Sequence, residues 1–273
     1  MCGNHPSSVV YILPMNGKKK TENCSVCGSA LEYLHHSENL VCVYCGATEQ
    51  GHVSCPEGHF VCETCHRRDA MQMIEGVIFT TELKDPIAIA ELMMGHPNLP
   101  MLGCEHAYIA AGTLMAALKN SPYGKGKITD ADIREVFART AKQAVSGYCG
   151  LTGVCGVAPA IGACLSVFLG SRCGSDMEQK ITMNAVIKVS QVVAELTGPS
   201  CCKAYVRAAL SEAVAIFTER FGIVLPVAKT SIVCKDSNRH PHGCREEQCP
   251  YYRKPATDIF VDPIHLPAEA CQS

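Results

Sequence analysis

The sequence predicts a mainly α protein: a helical bundle around a central apolar helix, preceded by a small β-rich zinc-ribbon module and followed by an irregular Cys-rich tail. Three observations predict it. Nineteen cysteines stand among 273 residues, and all but Cys2 and Cys271 fall in three groups: seven from Cys24 to Cys65, seven from Cys104 to Cys202 and three from Cys234 to Cys249. Between the outer groups, apolar side chains recur at helical spacing. The outer groups carry instead the close cysteine pairs, histidines and prolines of metal-held irregular chain. The expected organisation is an arm over 1–20, a metal module over 21–68, a Cys-rich helical domain over 69–230, and a tail packing on that domain over 231–273.

The arm has an apolar stretch, Val9 to Leu13, followed by Lys18-Lys19-Lys20. A secretory leader places its charge first, so the order argues against one and a cytoplasmic chain is expected. Disulfides are rare in that compartment, so the cysteines are expected to bind metal or do redox chemistry. Net charge is −2 and no other basic run exists, which disfavours nucleic acid as partner. The most apolar stretch, Val157 to Leu169, is too short to span a bilayer, so no membrane role is expected.

In the module, Cys24-Ser-Val-Cys27-Gly and Cys42-Val-Tyr-Cys45-Gly are two knuckles separated by a stretch that can form a hairpin. Zinc takes four soft ligands in a tetrahedron, and each knuckle supplies two thiolates. Cys55, His59, Cys62 and Cys65 make a second set, with His52 and His66 in reserve. One or two zinc ions are therefore expected. Spacing leaves open whether the two sets fill in chain order or interleave as a cross-brace; filling in order is simpler, because the first four already match a ribbon. Such closed sites hold a small coreless domain together rather than catalyse.

Five helices follow from pattern. One starts after Asp85, with Pro86 in its first turn, and runs to about Met94. The next opens near Cys104 and carries Ala110, Leu114 and Leu118. A third starts with a near capping box at Thr129 and Asp132 and places Ile133, Val136, Phe137 and Thr140 on one face. Ser175 with Glu178 predicts a capping box for a helix striped by Ile181, Ala185, Val189, Val192, Val193 and Leu196. The last starts at Pro199-Ser200, carries Val206 to Phe221 and stops at Gly222. A sixth, apolar on all sides, is expected from about Val157 to Leu169 and is the candidate for the centre of the bundle.

The densest chemistry is Gly147-Tyr-Cys149-Gly150-Leu-Thr-Gly153-Val-Cys155-Gly156, a turn whose backbone can approach a bound group closely. Cys104, Cys155 and the pair Cys201-Cys202 all stand at expected helix starts, where the helix dipole favours thiolate. If those ends converge they form a site for a thiolate-ligated [4Fe–4S] cluster, with Cys104, Cys149, Cys155 and one of Cys201 and Cys202 as ligands or redox thiols. Adjacent Cys201 and Cys202 face different ways, so one of them at most joins Cys155. Cys164 reads as a buried small hydrophobe. Glu105 and His106 are the acid–base candidates, against a capping Glu and a packed His. Lys203 and Arg207 read as a solvated face rather than an anion site. In the tail, Cys234, Cys244 and Cys249, with His240 and His242, form a third metal group; three cysteines suit a [4Fe–4S] cluster completed by a fourth ligand from elsewhere, or a Cys3His zinc site.

Cys104-Glu-His106, the glycine-cysteine centre, Gly198-Pro-Ser-Cys201-Cys202-Lys and Cys249-Pro-Tyr together resemble an uncharacterised Cys-rich helical domain family. That resemblance implies neighbourhood with radical-SAM or methyltransferase proteins, and hence a protein partner of redox or radical type. More distantly, the order of Cys-bearing helix, Cys-Gly turn, apolar helix and Cys pair resembles the redox-active C-GCAxxG-C-C proteins, without the GCAxxG element itself. Three functions are weighed: a metal-binding redox or sulfur-handling protein, a zinc-stabilised interaction module, and a small-substrate sulfur- or methyl-transfer enzyme with a nucleophilic cysteine.

Overall fold

The computed structural model describes residues 22–252, apart from 25, 97, 98, 197 and 229–231. The expected arm, the tail beyond 252, and with them Cys2 and Cys271, lie outside the described residues.

Two antiparallel strands, β1 (Glu32–Val41) and β2 (Thr48–Ser54), form a hairpin that carries the second knuckle in its turn, rather than lying between the two knuckles as expected, with a register irregularity between Tyr33 and Glu38. Their side chains are mostly exposed or half-exposed, so this sheet has little core of its own.

Helix α1 (Glu63–Thr80) starts inside the last knuckle. Cys62 caps it, its sulfur accepting the Cys65 amide, and Ala70, Ile74 and Ile78 bury one stripe against the bundle. The helix therefore runs unbroken across residue 68, from metal module to bundle. The sequence pattern misses it, because a knuckle with charged neighbours hides a helix start.

Asp85 caps α2 (Pro86–Met94) through the amides of Ile87 and Ala88. In α3 (Glu105–Asn120), every position from Glu105 to Leu118 is buried. It packs on α1, α2, α4 (Asp130–Ala141), α6 (Val157–Phe168) and α8 (Cys202–Phe221). The wholly buried helix at the centre is thus α3, with the apolar α6 against it. The reason is visible in α6 itself, whose C-terminal Val167 and Phe168 remain half-exposed. Thr129 and Asp132 close the capping box expected for α4. Ser175 does not cap α7 (Met177–Glu195): Asp176 holds that position without a side-chain bond, and Ser175 Oγ instead accepts the Arg172 amide at 3.0 Å. A five-residue helix, α5 (Tyr148–Thr152), sits in the glycine-cysteine centre. Gly222 ends α8 in the left-handed region, where glycine carries no Cβ penalty.

The tail is bolted to α8 by two buried cations. Lys203, fully buried, donates to Met94 O at 2.8 Å and pairs with Asp236 at 2.7 Å. Arg207 makes a two-pronged bond to Glu91 at 2.6 and 2.9 Å and lies 5.0 Å over the Tyr251 ring. The solvated face expected for these two residues is thus an interior one. They lie on the side of α8 that the tail covers, which helical pattern alone cannot reveal. Among the described residues, no helix is long and apolar enough to cross a membrane.

Candidate functional site

The two knuckles turn through Gly28 and Gly46, both left-handed, whose amides donate to Cys24 O and Cys42 O. Eight ligand atoms then fall into two groups: Cys24, Cys27, Cys55 and His59, and Cys42, Cys45, Cys62 and Cys65. Within each group the atoms lie within 4.8 Å of one another. Cys27 and Cys55 sulfurs are 3.5 Å apart, as are Cys45 and Cys62, and Cys55 Sγ is 3.7 Å from His59 Nδ1. Thiolates on a tetrahedral ion with bonds of about 2.3 Å sit about 3.8 Å apart, so both groups can hold a metal ion.

The pairing corrects the simpler reading, in which Cys24, Cys27, Cys42 and Cys45 share one ion. The groups interleave: first knuckle with third segment, second knuckle with fourth. The hairpin reverses the chain, and Val43 donates to Phe60 O at 2.9 Å, drawing the second knuckle beside the start of α1. His52 and His66 join neither group. His52 meets the Tyr148 ring edge-on, and His66 Nδ1 lies 3.9 Å from Glu105 Oε1.

Cys104, Glu105 and His106 lie where α1 meets the start of α3. Burial pushes the Cys104 thiol up to about 12, overriding the helix dipole expected to favour its thiolate. Glu105 is buried. Burial raises its carboxyl, but the His66 bond and a backbone amide outweigh this and leave it below the usual range; Oε2 has no partner. His106 Nδ1 lies 3.1 Å from Gly103 O, while Nε2 has no partner. Burial lowers His106 to about 4, so it is a neutral imidazole. The trio therefore divides: Glu105 meets His66 of the metal module, Cys104 meets Ser146 just before the glycine-cysteine turn, and His106 lies near Lys203 and Arg207 of α8.

A first thiol pocket lies between the start of α8 and the tail. Cys201, Cys234, Cys244 and Cys249 all line it, with Arg207 and Arg245 on its wall. Each of the four sulfurs is bonded by a backbone amide: Asp236 to Cys234 and Glu246 to Cys244, both at 3.4 Å, Ala204 to Cys201, and Tyr251 to Cys249. Arg245 fixes the tail by donating to Leu196 O and Pro199 O, and the His240 ring nitrogen Nε2 lies 3.0 Å from Ser200 O. Neither His240 nor His242 joins these thiols in a single-ion group. Among the described residues, the 4.8 Å mutual spacing is met only by the two groups of the module.

A second pocket, about 190 Å³, opens on the other side of residues 198–205. Cys149, Gly153, Cys155, Ser190, Ser200 and Tyr205 line it, with apolar residues from the end of α7. Cys202 lies near Cys155 and Cys149, and its thiol is raised well above its ordinary value by burial. Burial also raises Cys155, to about 11. Gly150 has open space around its Cα, whereas a Cβ on Gly156 would meet Ala144 Cβ at 2.9 Å, so Gly156 serves close packing. Cys201 and Cys202 do face different ways: Cys201 lines the first pocket, whereas Cys202 lines neither and lies near Cys155 and Cys149. Cys164 is fully buried, its thiol donating to Ala111 O at 3.4 Å, as a small hydrophobe would pack.

The set Cys104, Cys149, Cys155 and Cys201 or Cys202 is thus divided among three places. The tail cysteines gain Cys201 as their fourth, a partner spacing could not name. No curated protein and no solved structure matches the chain. The model of a family of unknown function, DUF5714, matches residues 74–252, from within α1 through the bundle to the end of the described tail. The chain belongs to that family, carrying the two-group metal module ahead of the shared domain.

Proposed function

We propose that this is a metal-binding redox or sulfur-handling protein: two zinc ions brace the N-terminal module, and a [4Fe–4S] cluster is held by Cys201, Cys234, Cys244 and Cys249 for work with a partner enzyme. The observation that carries the reading is the four-thiol pocket. Its donors are all cysteines, as iron–sulfur clusters require, and Cys249 is followed by proline as in many cluster loops. A single tetrahedral ion with bonds of about 2.3 Å leaves no void among its ligands. Here the four thiols line one pocket but miss single-ion spacing, as ligands to the separate irons of a cluster would. Amide donors to all four sulfurs, the α8 N-terminus at Cys201 and the Arg245 guanidinium would offset the negative charge of such a centre, the Arg207 charge being already paired with Glu91. A bound cluster supplies one-electron chemistry; the protein's part is to hold it and set its surroundings.

Protein purified without oxygen should be brown, with about four iron atoms and four acid-labile sulfides per chain alongside about two zinc ions. Cys201→Ala and Cys249→Ala should each lose iron and sulfide while keeping zinc. Colourless protein with zinc as its only metal overturns the reading.

One observation favours a second reading, a zinc-stabilised interaction module without redox chemistry. Val26, Val41, Val43 and Tyr44 are exposed on the knuckles and hairpin, an apolar set suited to a protein partner. On that reading, partner capture survives Cys201→Ala and Cys249→Ala and is lost with Tyr44→Ser and Val43→Ser together.

A further inference from the structure

The second pocket has no role in the reading above. About 190 Å³ is enough for a small molecule, since a cavity of about 150 Å³ takes a benzene-sized one. Its lining has no Asp, Glu, Lys or Arg, but offers the hydroxyls of Ser190, Ser200 and Tyr205 beside two free thiols. A neutral, hydroxyl-bearing or weakly polar molecule suits such walls better than a cationic one, because no carboxylate lines them and the Arg245 guanidinium borders them at Gly198 and Tyr205.

The two thiols differ in a useful way. Cys149 sits on α5, a helix with no buried residue, bounded by Gly147 and Gly153, which hold φ of 78° and 76°. Cys155, also half-buried, packs against the edge of the core. So α5 is a short surface flap between two glycine joints, and moving it changes the distance between the two thiols without disturbing the core. Cys202, half-buried, lies near both without lining the pocket.

We propose that this pocket is a thiol-exchange site for small neutral disulfides, with Cys149 as the attacking thiol and Cys155 as the resolving one. Cys149 attacks one sulfur of the bound disulfide RSSR; the S–S bond breaks, a mixed disulfide Cys149–S–SR forms, and RS⁻ leaves with the Cys149 proton as RSH. Cys155 then attacks Cys149 Sγ. The second RS⁻ leaves and takes the Cys155 proton, and a Cys149–Cys155 disulfide remains. The substrate gains two electrons and two protons, and the dithiol loses them. An added small dithiol restores the protein. The packing fits this order, since Cys155 lies partly against the core while Cys149 sits on a surface helix and meets an incoming disulfide first. The exchange needs only these two thiols, so it stands or falls separately from iron in the four-thiol pocket.

The test uses the full chain, purified without oxygen, and bis(2-hydroxyethyl) disulfide as probe, read by peptide mass spectrometry. Cys149 should be modified about ten times faster than the exposed Cys173, and the adduct should give way to a Cys149–Cys155 disulfide with two equivalents of mercaptoethanol released. Cys155→Ser should trap the mixed disulfide on Cys149. Cys149→Ser, on a helix with no buried residue, should fold normally and leave Cys155 unmodified. Cystamine, whose two charges the walls do not match, should react at Cys149 about tenfold more slowly than the neutral probe. Modification of Cys149 no faster than Cys173, no trapped adduct in Cys155→Ser, or equal rates with cystamine would each overturn the proposal. So would a loss of iron in Cys149→Ser, which would make the pocket a cluster site instead.

Discussion

His106 shows most plainly what burial does to a single side chain. It is lowered from 6.5 to about 4, first by burial and against the pull of Glu105. As pH falls below 6.5 the unfolded chain takes up this proton while the native one does not, so native stability falls between about pH 6.5 and 4 and is fully present above that window. The full loss amounts to about 3 kcal/mol at most. In urea unfolding, the stability advantage of the native protein over His106→Gln should therefore shrink as pH drops through this range; a constant difference would contradict a neutral, buried His106. The residue types that carry chemistry were legible in the chain, since Cys, His and Glu stand out in any sequence. Their ionisation was not. Burial at Cys104 and His106 outweighs the local cues of helix start and neighbouring charge, and burial is a property of the assembled bundle.

Among the elements, α6 and α7 approach at Gly162, where an added Cβ would lie 2.5 Å from Val186 Cγ2. Alanine is the better helix former, by about 1 kcal/mol. Overpacking costs about 1–3 kcal/mol and should win, because both helices are anchored by other contacts. Gly162→Ala should lower the urea midpoint with an unchanged slope, and Val186→Ala added to it should recover part of the loss. Helices α2, α4 and α8 were readable because Asp85, Thr129 and Gly222 act locally, through bonds and dihedrals within a few residues. The start of α1 was not, because Cys62 serves metal group and helix cap together. Nor could the place of α6 beside α3 be read, since an all-apolar segment says that it is buried and not against what.

For the whole molecule, the interleaved metal groups matter most. Each closes a loop of chain that contains ligands of the other: Cys27 to Cys55 encloses Cys42 and Cys45, and Cys45 to Cys62 encloses Cys55 and His59. Spacing could suggest eight ligands but not this partition, which the hairpin and the Val43–Phe60 bond decide. With so little apolar core in the module, opening one group should free the other. Stripping metal with a chelator should release both ions in one kinetic phase, and Cys24→Ser should lower metal content in the module by about two ions rather than one. Two separate phases would mean that the groups are independent. Because α1 grows from the second group, its first turn should fray in the same step.

Cys201 and Cys202 are neighbours in the chain, yet Cys201 lines the four-thiol pocket while Cys202 lies on the other side, near Cys155 and Cys149. This leaves the start of α8 no freedom in length. A residue inserted between them would rotate one thiol by about 100° relative to the other, swinging it out of reach of its own partners. The four-thiol pocket therefore cannot be rebuilt, transplanted or lost by insertion without moving Cys202 beside the second, and a single peptide bond ties the two thiol sites into one inheritable unit.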